Sequence, residues 1–299
     1  MNTPLDLTIA IPVKNEEKSL SACLQAIGSD LAKEIVIIDS GSTDATCRIA
    51  EDAGVRVIDF KWNGQFPKKR NWFLRNHPPV TKWVLFLDAD EFLTPDFKTE
   101  LRAALQGEDN VGYWLNYTLH FMGRQLKGGY PLKKLALFRV GAGEYERIDE
   151  AQWSHLDMEV HEHPVLNGAV GEIKSKIDHQ DDRGMTHYIS KHNAYSSWEA
   201  ARYVKLRKEN PALSHFNWKQ RLKYRLSGSI LLAPVYFLGC YFLMGGFRDG
   251  VRGFAFAVMK MAYFVQVYCK IREAGKAEAA RQQSKRVAAE PVLEANSGT

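Results

Sequence analysis

The chain has 299 residues, 45% of them hydrophobic and 25% charged, a balance that excludes a disordered or fibrous protein and leaves one large domain or two smaller ones. A formal net charge of +5 requires no nucleic-acid partner, and the basic residues gather in the last third, which points to an anionic surface met locally. Cys23, Cys47, Cys240 and Cys269 form no C-x-x-C pair, so neither a disulfide framework nor a zinc module is signalled, and a reducing cytosol fits.

Met1-Asn2-Thr3-Pro4 leads straight into a strand without a basic n-region and apolar h-region, so no secretory signal is read and the active face is expected in the cytoplasm. Leu7 to Val13 reads as a strand, followed by polar Lys14-Asn15-Glu16-Glu17 and a helical spacing of Leu20, Leu24 and Ile27. Glu34 to Asp39 is a second strand; Gly41 permits a tight turn after it, and Ser42 or Thr43 can cap the next helix. Val55 to Asp59 is a third, and the basic loop Trp62 to Asn71 enters a helix around Trp72 and Leu74. Strands alternating with helices predict an α/β fold with a mostly parallel, Rossmann-like sheet and flanking helices.

The apolar run Trp83 to Leu87 ends in Asp88-Ala89-Asp90-Glu91. A strand buried on both faces and ending in carboxylates belongs to an α/β sheet, whose ligands bind at the carboxyl ends of its strands. If extended, Asp88 and Asp90 point the same way and face a hard divalent cation together. The alternative is that they only cap the strand and open the helix at Thr94-Pro95.

Taken together, Ile11-Pro12-Val13-Lys14-Asn15-Glu16, Asp39-Ser40-Gly41-Ser42-Thr43-Asp44 and Asp88-Ala89-Asp90-Glu91 resemble the three leading motifs of the family 2 glycosyltransferases with the GT-A fold. The resemblance implies an inverting enzyme with a nucleotide-sugar donor and a manganese or magnesium ion. It places Pro12 and Glu16 in the nucleotide loop, Asp39 at the base or ribose, Asp88 at the ribose and diphosphate, and Asp88 and Asp90 at the metal. One departure is visible: many members carry two acidic residues where this chain has Asp39-Ser40, so the usual base contact moves to Asp39 or is lost. For Asp39 and Asp44, capping of the following helix is the competing role.

The run Lys68-Lys69-Arg70-Asn71 sits at a helix entrance between carboxylate-bearing strand ends, where a diphosphate would lie. Lys69 and Asn71 are therefore candidate donor contacts, with a solvated charged face as the alternative. Beyond Glu91 come a helix through Phe97, Leu101 and Leu105, a strand from Val111 to Tyr117, and a strand Leu135 to Arg139. Aromatic Trp114, Tyr117, Phe121 and Tyr130 suit either a sugar-stacking wall or the core. Inverting transfer needs a base for the acceptor hydroxyl. In Met158-Glu159-Val160-His161-Glu162-His163-Pro164 that candidate is Glu162, which matches the Val-His-Glu segment of a subgroup of lipopolysaccharide-core and polysaccharide glucosyltransferases. A zinc site from His161, His163 and His179 is the rival reading. His179, ending another short strand, can reach a phosphate or metal or serve structure alone.

From Gly184 the pattern turns helical, and the apolar stretches Ile230–Gly246 and Phe254–Cys269 flank charged Phe247 to Gly253. Each is at or just below the ~20 residues of a spanning helix. Basic outer flanks and midpoint Arg248 and Arg252 favour a re-entrant or interfacial arrangement over a spanning hairpin, with a soluble helical subdomain as the alternative. The expected organisation is a catalytic domain over 1–183 (donor half 1–110, acceptor half 111–183), a membrane-associated helical region over 184–270, and a charged helical or disordered tail over 271–299. The expected acceptor is a lipid-linked saccharide or lipopolysaccharide core, met at the cytoplasmic face of the plasma membrane. A nucleotidyltransferase on a related sheet and a catalytically silent membrane-binding protein are the alternatives; the first lacks its glycine-rich loop after the first strand, and the second would be expected to have lost some of Asp88, Asp90 and Glu162.

Overall fold

Runs of β-branched, leucine and aromatic residues build the first half of the chain into a sheet buried on both faces. The computed structural model describes residues 3–147, 163–181, 183–209, 222–223 and 225–289, and the chain divides into two units, Met1–Gly184 and Met185–Thr299. In the first unit, β1 (Leu5–Val13), α1 (Leu20–Ile27), β2 (Ala32–Asp39), α2 (Thr46–Asp52), β3 (Arg56–Asp59), α3 (Lys69–Asn76) and β4 (Trp83–Phe86) follow one another. They are the alternating strands and helices expected. Strands β3, β2, β1 and β4 lie side by side and parallel. Val13 stands opposite Asp39, and Asp39 opposite Asp59, so the carboxyl ends come out level.

Past β4 the chain makes β5 (Glu91–Phe92), α4 (Pro95–Ala104), β6 (Gly112–Tyr117), the small pair β7 (His120–Phe121) and β8 (Arg124–Gln125), β9 (Leu132–Arg139), β10 (Gly143–Tyr145), β11 (Pro164–Leu166) and β12 (Val170–His179). Thr94 caps α4 by accepting a hydrogen bond from the Phe97 N–H at 3.2 Å, with Pro95 in the first turn where its missing donor is harmless. The full sheet runs β3, β2, β1, β4, β9, β6, β12, β5. The sheet is mostly parallel, as expected, with two exceptions: β9 is antiparallel to both β4 and β6, and β5 is antiparallel to β12. This insertion brings β9 against β4, next to the motif that follows it.

Trp83, Val84, Leu85 and Phe86 are all buried and form the centre of the core with Ile9, Ile11, Val36, Ile37, Leu137 and Phe138. Leu85 is fully inaccessible, so Leu85→Ala is expected to lower unfolding free energy by about 2–5 kcal/mol through lost transfer energy and the cavity left behind. Urea titration of the wild type and variant measures it.

The second unit begins with helix α5 (Gly184–Glu209). Its apolar part is less regular than the sequence suggests. A helix over Leu232–Leu238 passes into a π-turn over Gly239–Leu243, and Gly245, in the left-handed conformation at φ 72°, ends it ahead of a 3-10 turn at Gly246–Asp249. A 40-residue helix, Gly250–Ala289, then runs back. A Cβ on Gly253 would overlap the Gly246 carbonyl, and one on Gly246 would crowd the Cys240 carbonyl at 2.7 Å, so each glycine permits a close backbone approach. Tyr236 stacks on Phe264 at 3.8 Å and Phe237 meets Phe254 edge-on at 5.7 Å.

Candidate active site

The loops after β1 and β2 are laced together. Asn15 adopts the left-handed region (φ 58°), which asparagine tolerates better than most residues. Its Oδ1 accepts from the Thr43 N–H at 2.8 Å, and its own N–H donates to Ser42 Oγ at 2.9 Å. The Glu16 N–H donates to Thr46 Oγ1 at 2.7 Å, and the Ala45 N–H to the Glu17 carboxylate at 3.1 Å. Asp39 is buried and its Oδ2 accepts from the Gly41 and Ser42 N–H groups at 2.9 and 3.0 Å. Asp44 accepts from the Thr46 and Glu17 N–H groups at 3.0 and 3.2 Å. Both aspartates thus organise the turn between β2 and α2. Pro12 lies within β1, and Glu16 accepts from Ser19 Oγ at 2.9 Å and from Arg183 at 3.2 Å. Burial raises the Glu16 pKa, with the Ser19 hydroxyl and then Arg183 acting against it.

The two motif aspartates have different ion-pair partners. After Phe86 the backbone turns: the Glu91 N–H donates to the Asp88 carbonyl at 3.0 Å, and the Asp88 N–H donates to Glu91 Oε2 at 3.0 Å. This reverse turn replaces the extended backbone that would put positions i and i+2 on one face. Asp88 faces two cations, Arg70 at 3.0 Å on Oδ1 and Lys134 of β9 at 2.6 Å on Oδ2. Lys134 also reaches Glu91 Oε1 at 2.5 Å. Burial opposes ionisation of Asp88, but Lys134 and Arg70 overcome it and hold the carboxyl well below the usual carboxylate range. Burial pushes Glu91 up to about 7, Lys134 drawing it down while Asp88 and Asp90 add to the rise.

Asp90 meets Arg183 at 3.1 Å on Oδ2 and the His179 ring at 3.7 Å on Oδ1. The sheet places that histidine: β5 and β12 pair with His179 opposite Glu91, the His179 N–H donates to Thr118 Oγ1 at 3.0 Å, and the Gln180 N–H donates to the Asp90 carbonyl at 2.9 Å.

Of the basic run, Lys69 is buried and donates to the Val13 carbonyl at 3.2 Å, tying α3 to the end of β1. Asn71 is fully buried: its amide donates to the Tyr145 carbonyl at 2.9 Å and accepts from the Tyr145 N–H at 2.8 Å, anchoring β10. It is Arg70 that points into the carboxylate cluster. Asn71→Ala leaves two buried main-chain groups of Tyr145 without these partners and is expected to cost about 1–3 kcal/mol of stability, read from thermal or urea unfolding.

Lys134 and Arg183 were not singled out from the sequence. The signal for Lys134 was Lys133-Lys134 in an otherwise apolar strand, where alternation sends one of two adjacent lysines inward. Arg183 carries no comparable signal, since Asp181 and Gly184 around it read as an ordinary turn. Glu162 and His161 lie outside the described residues. Among the described residues no three His, Cys, Asp or Glu side chains are grouped to hold a metal ion. His163 is described, with its ring edge-on to Trp114 at 5.3 Å.

Residues 8–152, which span all three motifs, match the sequence model of "Glycosyl transferase family 2". The chain is also 30% identical over 276 residues to the lipopolysaccharide core biosynthesis glycosyltransferase LpsC of Rhizobium meliloti (strain 1021), covering 89% of this chain and 92% of that protein. The chain belongs to glycosyltransferase family 2. A second relative of this glycosyltransferase is the uncharacterized glycosyltransferase RT0209 of Rickettsia typhi (strain ATCC VR-144 / Wilmington), 26% identical over 83% of this chain and 82% of the other. A solved structure, glucosyl-3-phosphoglycerate synthase from Mycobacterium tuberculosis with Mn2+, UDP and phosphoglyceric acid, is similar over 36% of this chain and 41% of its own at 25% identity, with a TM-score of 0.30. The parallel β3-β2-β1-β4 array with level carboxyl ends belongs to the mostly parallel sheet of the family's GT-A fold, and the alternative of a nucleotidyltransferase falls away.

Proposed function

We propose that this glycosyltransferase moves a sugar, with inversion, from a nucleotide-sugar to a lipid-linked saccharide or lipopolysaccharide-core acceptor at the cytoplasmic face of the plasma membrane, using manganese or magnesium. The observation that carries the reading is the cluster at the carboxyl ends of β1 and β4, where Glu16, Asp88, Asp90 and Glu91 meet Arg70, Lys134 and Arg183. Carboxylates and guanidinium groups set together at strand ends suit a ligand that brings both phosphate oxygens and a cation. The Asp90 oxygen and the His179 nitrogen, 3.7 Å apart, are donor types that hold a divalent ion and leave coordination sites over. When bound, such an ion offsets charge on the departing diphosphate.

The chain's own residues do the rest. Pro12 and Asp39 near the ends of β1 and β2, with Glu16 in the laced loops that follow, seat the nucleoside. Arg183, whose side chain is 41% exposed, and Arg70 stand where diphosphate oxygens would be bound. Glu162 removes the proton from the acceptor hydroxyl as it attacks. The test is incubation of the full chain with a panel of nucleotide-sugars and Mn2+ or Mg2+, scoring thermal stabilisation and slow donor hydrolysis. No response to any donor with either metal sinks the reading.

The membrane reading draws on the second unit. One described helix window, Gly246–Lys276, is long and apolar enough to cross a bilayer. The arm before it, Leu232–Leu243, rises only roughly 18 Å, short of a bilayer's hydrocarbon thickness. Phe242, Leu243, Phe247 and Val251 are exposed around the bend, Leu243 at 88% and Val251 at 82%. A patch of this kind on a soluble monomer is uncommon and suits burial in one leaflet. The relative LpsC is named for lipopolysaccharide core biosynthesis, which suits an acceptor carried on lipid. The full chain is expected to sediment with anionic vesicles even in high salt, and Leu243→Glu with Val251→Glu to release it. Salt alone releasing the unmodified chain would remove apolar insertion from the reading.

A further inference from the structure

The bend of the second unit carries two arginines, Arg248 in the 3-10 turn and Arg252 in the first turn of the helix Gly250–Ala289. Among the described residues neither guanidinium has a hydrogen bond or an ion pair, with Asp249 between them or with any other group. Arg248 is exposed, its stem running past Gly245, on which a Cβ would stand 3.3 Å from Arg248 Cδ. Arg252 is half-buried, and its Nε donor is shut off from solvent without an acceptor. A buried donor left in that state is uncommon in a folded protein and calls for an acceptor from outside the chain.

The neighbouring side chains select that acceptor. Phe242, Leu243, Phe247 and Val251 are exposed on the same short stretch, so whatever reaches the two guanidinium groups also meets an apolar surface. A membrane leaflet supplies both halves, acyl chains for the four apolar side chains and phosphate oxygens above them. Arginine suits that boundary: its stem lies in the apolar layer while its planar head gives two parallel N–H bonds to one phosphate. The middle of the bilayer does not suit the bend, because two charges would be carried into hydrocarbon.

We infer, on the membrane reading given above, that Arg248 and Arg252 bind phosphate groups of membrane phospholipid and so hold the bend at headgroup depth. What this adds to that reading is the lipid group recognised and the two residues that recognise it.

The full-length protein is sedimented, at one ionic strength, with vesicles of digalactosyldiacylglycerol, which are uncharged and free of phosphate, and with the same vesicles containing phosphatidylglycerol. Wild type is expected to bind both, the second more tightly. Arg248→Gln with Arg252→Gln is expected to lose affinity for the phosphatidylglycerol vesicles by about 25-fold, about fivefold for each arginine near an anionic surface, and to keep wild-type affinity for the galactolipid. Arg248→Lys with Arg252→Lys keeps the charge without the planar fork and is expected to recover only part of that loss. A folded Gln pair, checked by circular dichroism, that binds phosphatidylglycerol vesicles as wild type does overturns the inference. Full recovery by the Lys pair overturns it too, since general charge attraction then accounts for the binding. Should the Gln pair fail to fold, Arg248→Gln alone decides, because that side chain is exposed: a loss of about fivefold supports the inference and no loss overturns it. Wild type that binds neither vesicle sinks the membrane reading itself, whereas wild-type binding with an unresponsive Gln pair sinks only the role of the arginines.

Discussion

Asp90→Asn is expected to abolish metal-dependent donor binding and reduce transfer to background while leaving the fold in place. Asp90 is buried at 8% exposure and its oxygens face Arg183 and His179. The amide keeps the shape and one acceptor oxygen but removes the negative charge that a divalent ion requires. Arg183 keeps its contacts with Glu16 and Asp181, so local structure survives the change. Donor binding by calorimetry with and without Mn2+, beside turnover, measures the effect; His179→Ala should weaken the metal requirement in the same direction. Wild-type transfer by Asp90→Asn, or activity that survives thorough chelation, would overturn the metal assignment.

Glu162→Gln is expected to retain nucleotide-sugar binding and lose transfer by about 10²–10⁴-fold, the usual scale for removing a general base. Glutamine preserves volume and hydrogen bonding but cannot accept the hydroxyl proton. Donor affinity and single-turnover transfer, measured on the same preparation, separate the two roles. Unchanged turnover would move the base to Glu159 or Asp157, and a fall in donor affinity would make Glu162 a binding residue.

The strands and helices that carry the site follow from local pattern. Apolar runs ending in Val13, Asp39 and Phe86, with Gly41 and Thr94-Pro95 as punctuation, mark the element ends within a residue or two. What pattern reading missed depends on pairings distant in sequence. The different partners of Asp88 and Asp90 follow a turn closed by the Glu91 side chain on the Asp88 N–H, a contact that no spacing announces. The inward lysine at position 134 depends on β9 inserting antiparallel between β4 and β6, and no spacing within the strand announces that insertion. His179 gained its place only when β12 paired with β5. Lys69 and Asn71 were picked out as polar residues in a basic run, but both bind main-chain carbonyls or amides of other elements, a choice visible only once α3 is packed.

The bonds joining the loop after β1 to the loop after β2 bear on how donor preference can change. Asn15, Glu16 and Glu17 each reach across to Ser42, Thr43, Asp44, Ala45 or Thr46, so the two segments hold one another in shape. Residues joined in this way respond non-additively to substitution. A base preference transplanted from another enzyme would have to be carried by both segments at once: a graft of residues 14–17 alone would arrive with hydrogen-bonding groups aimed at partners left behind in the original host.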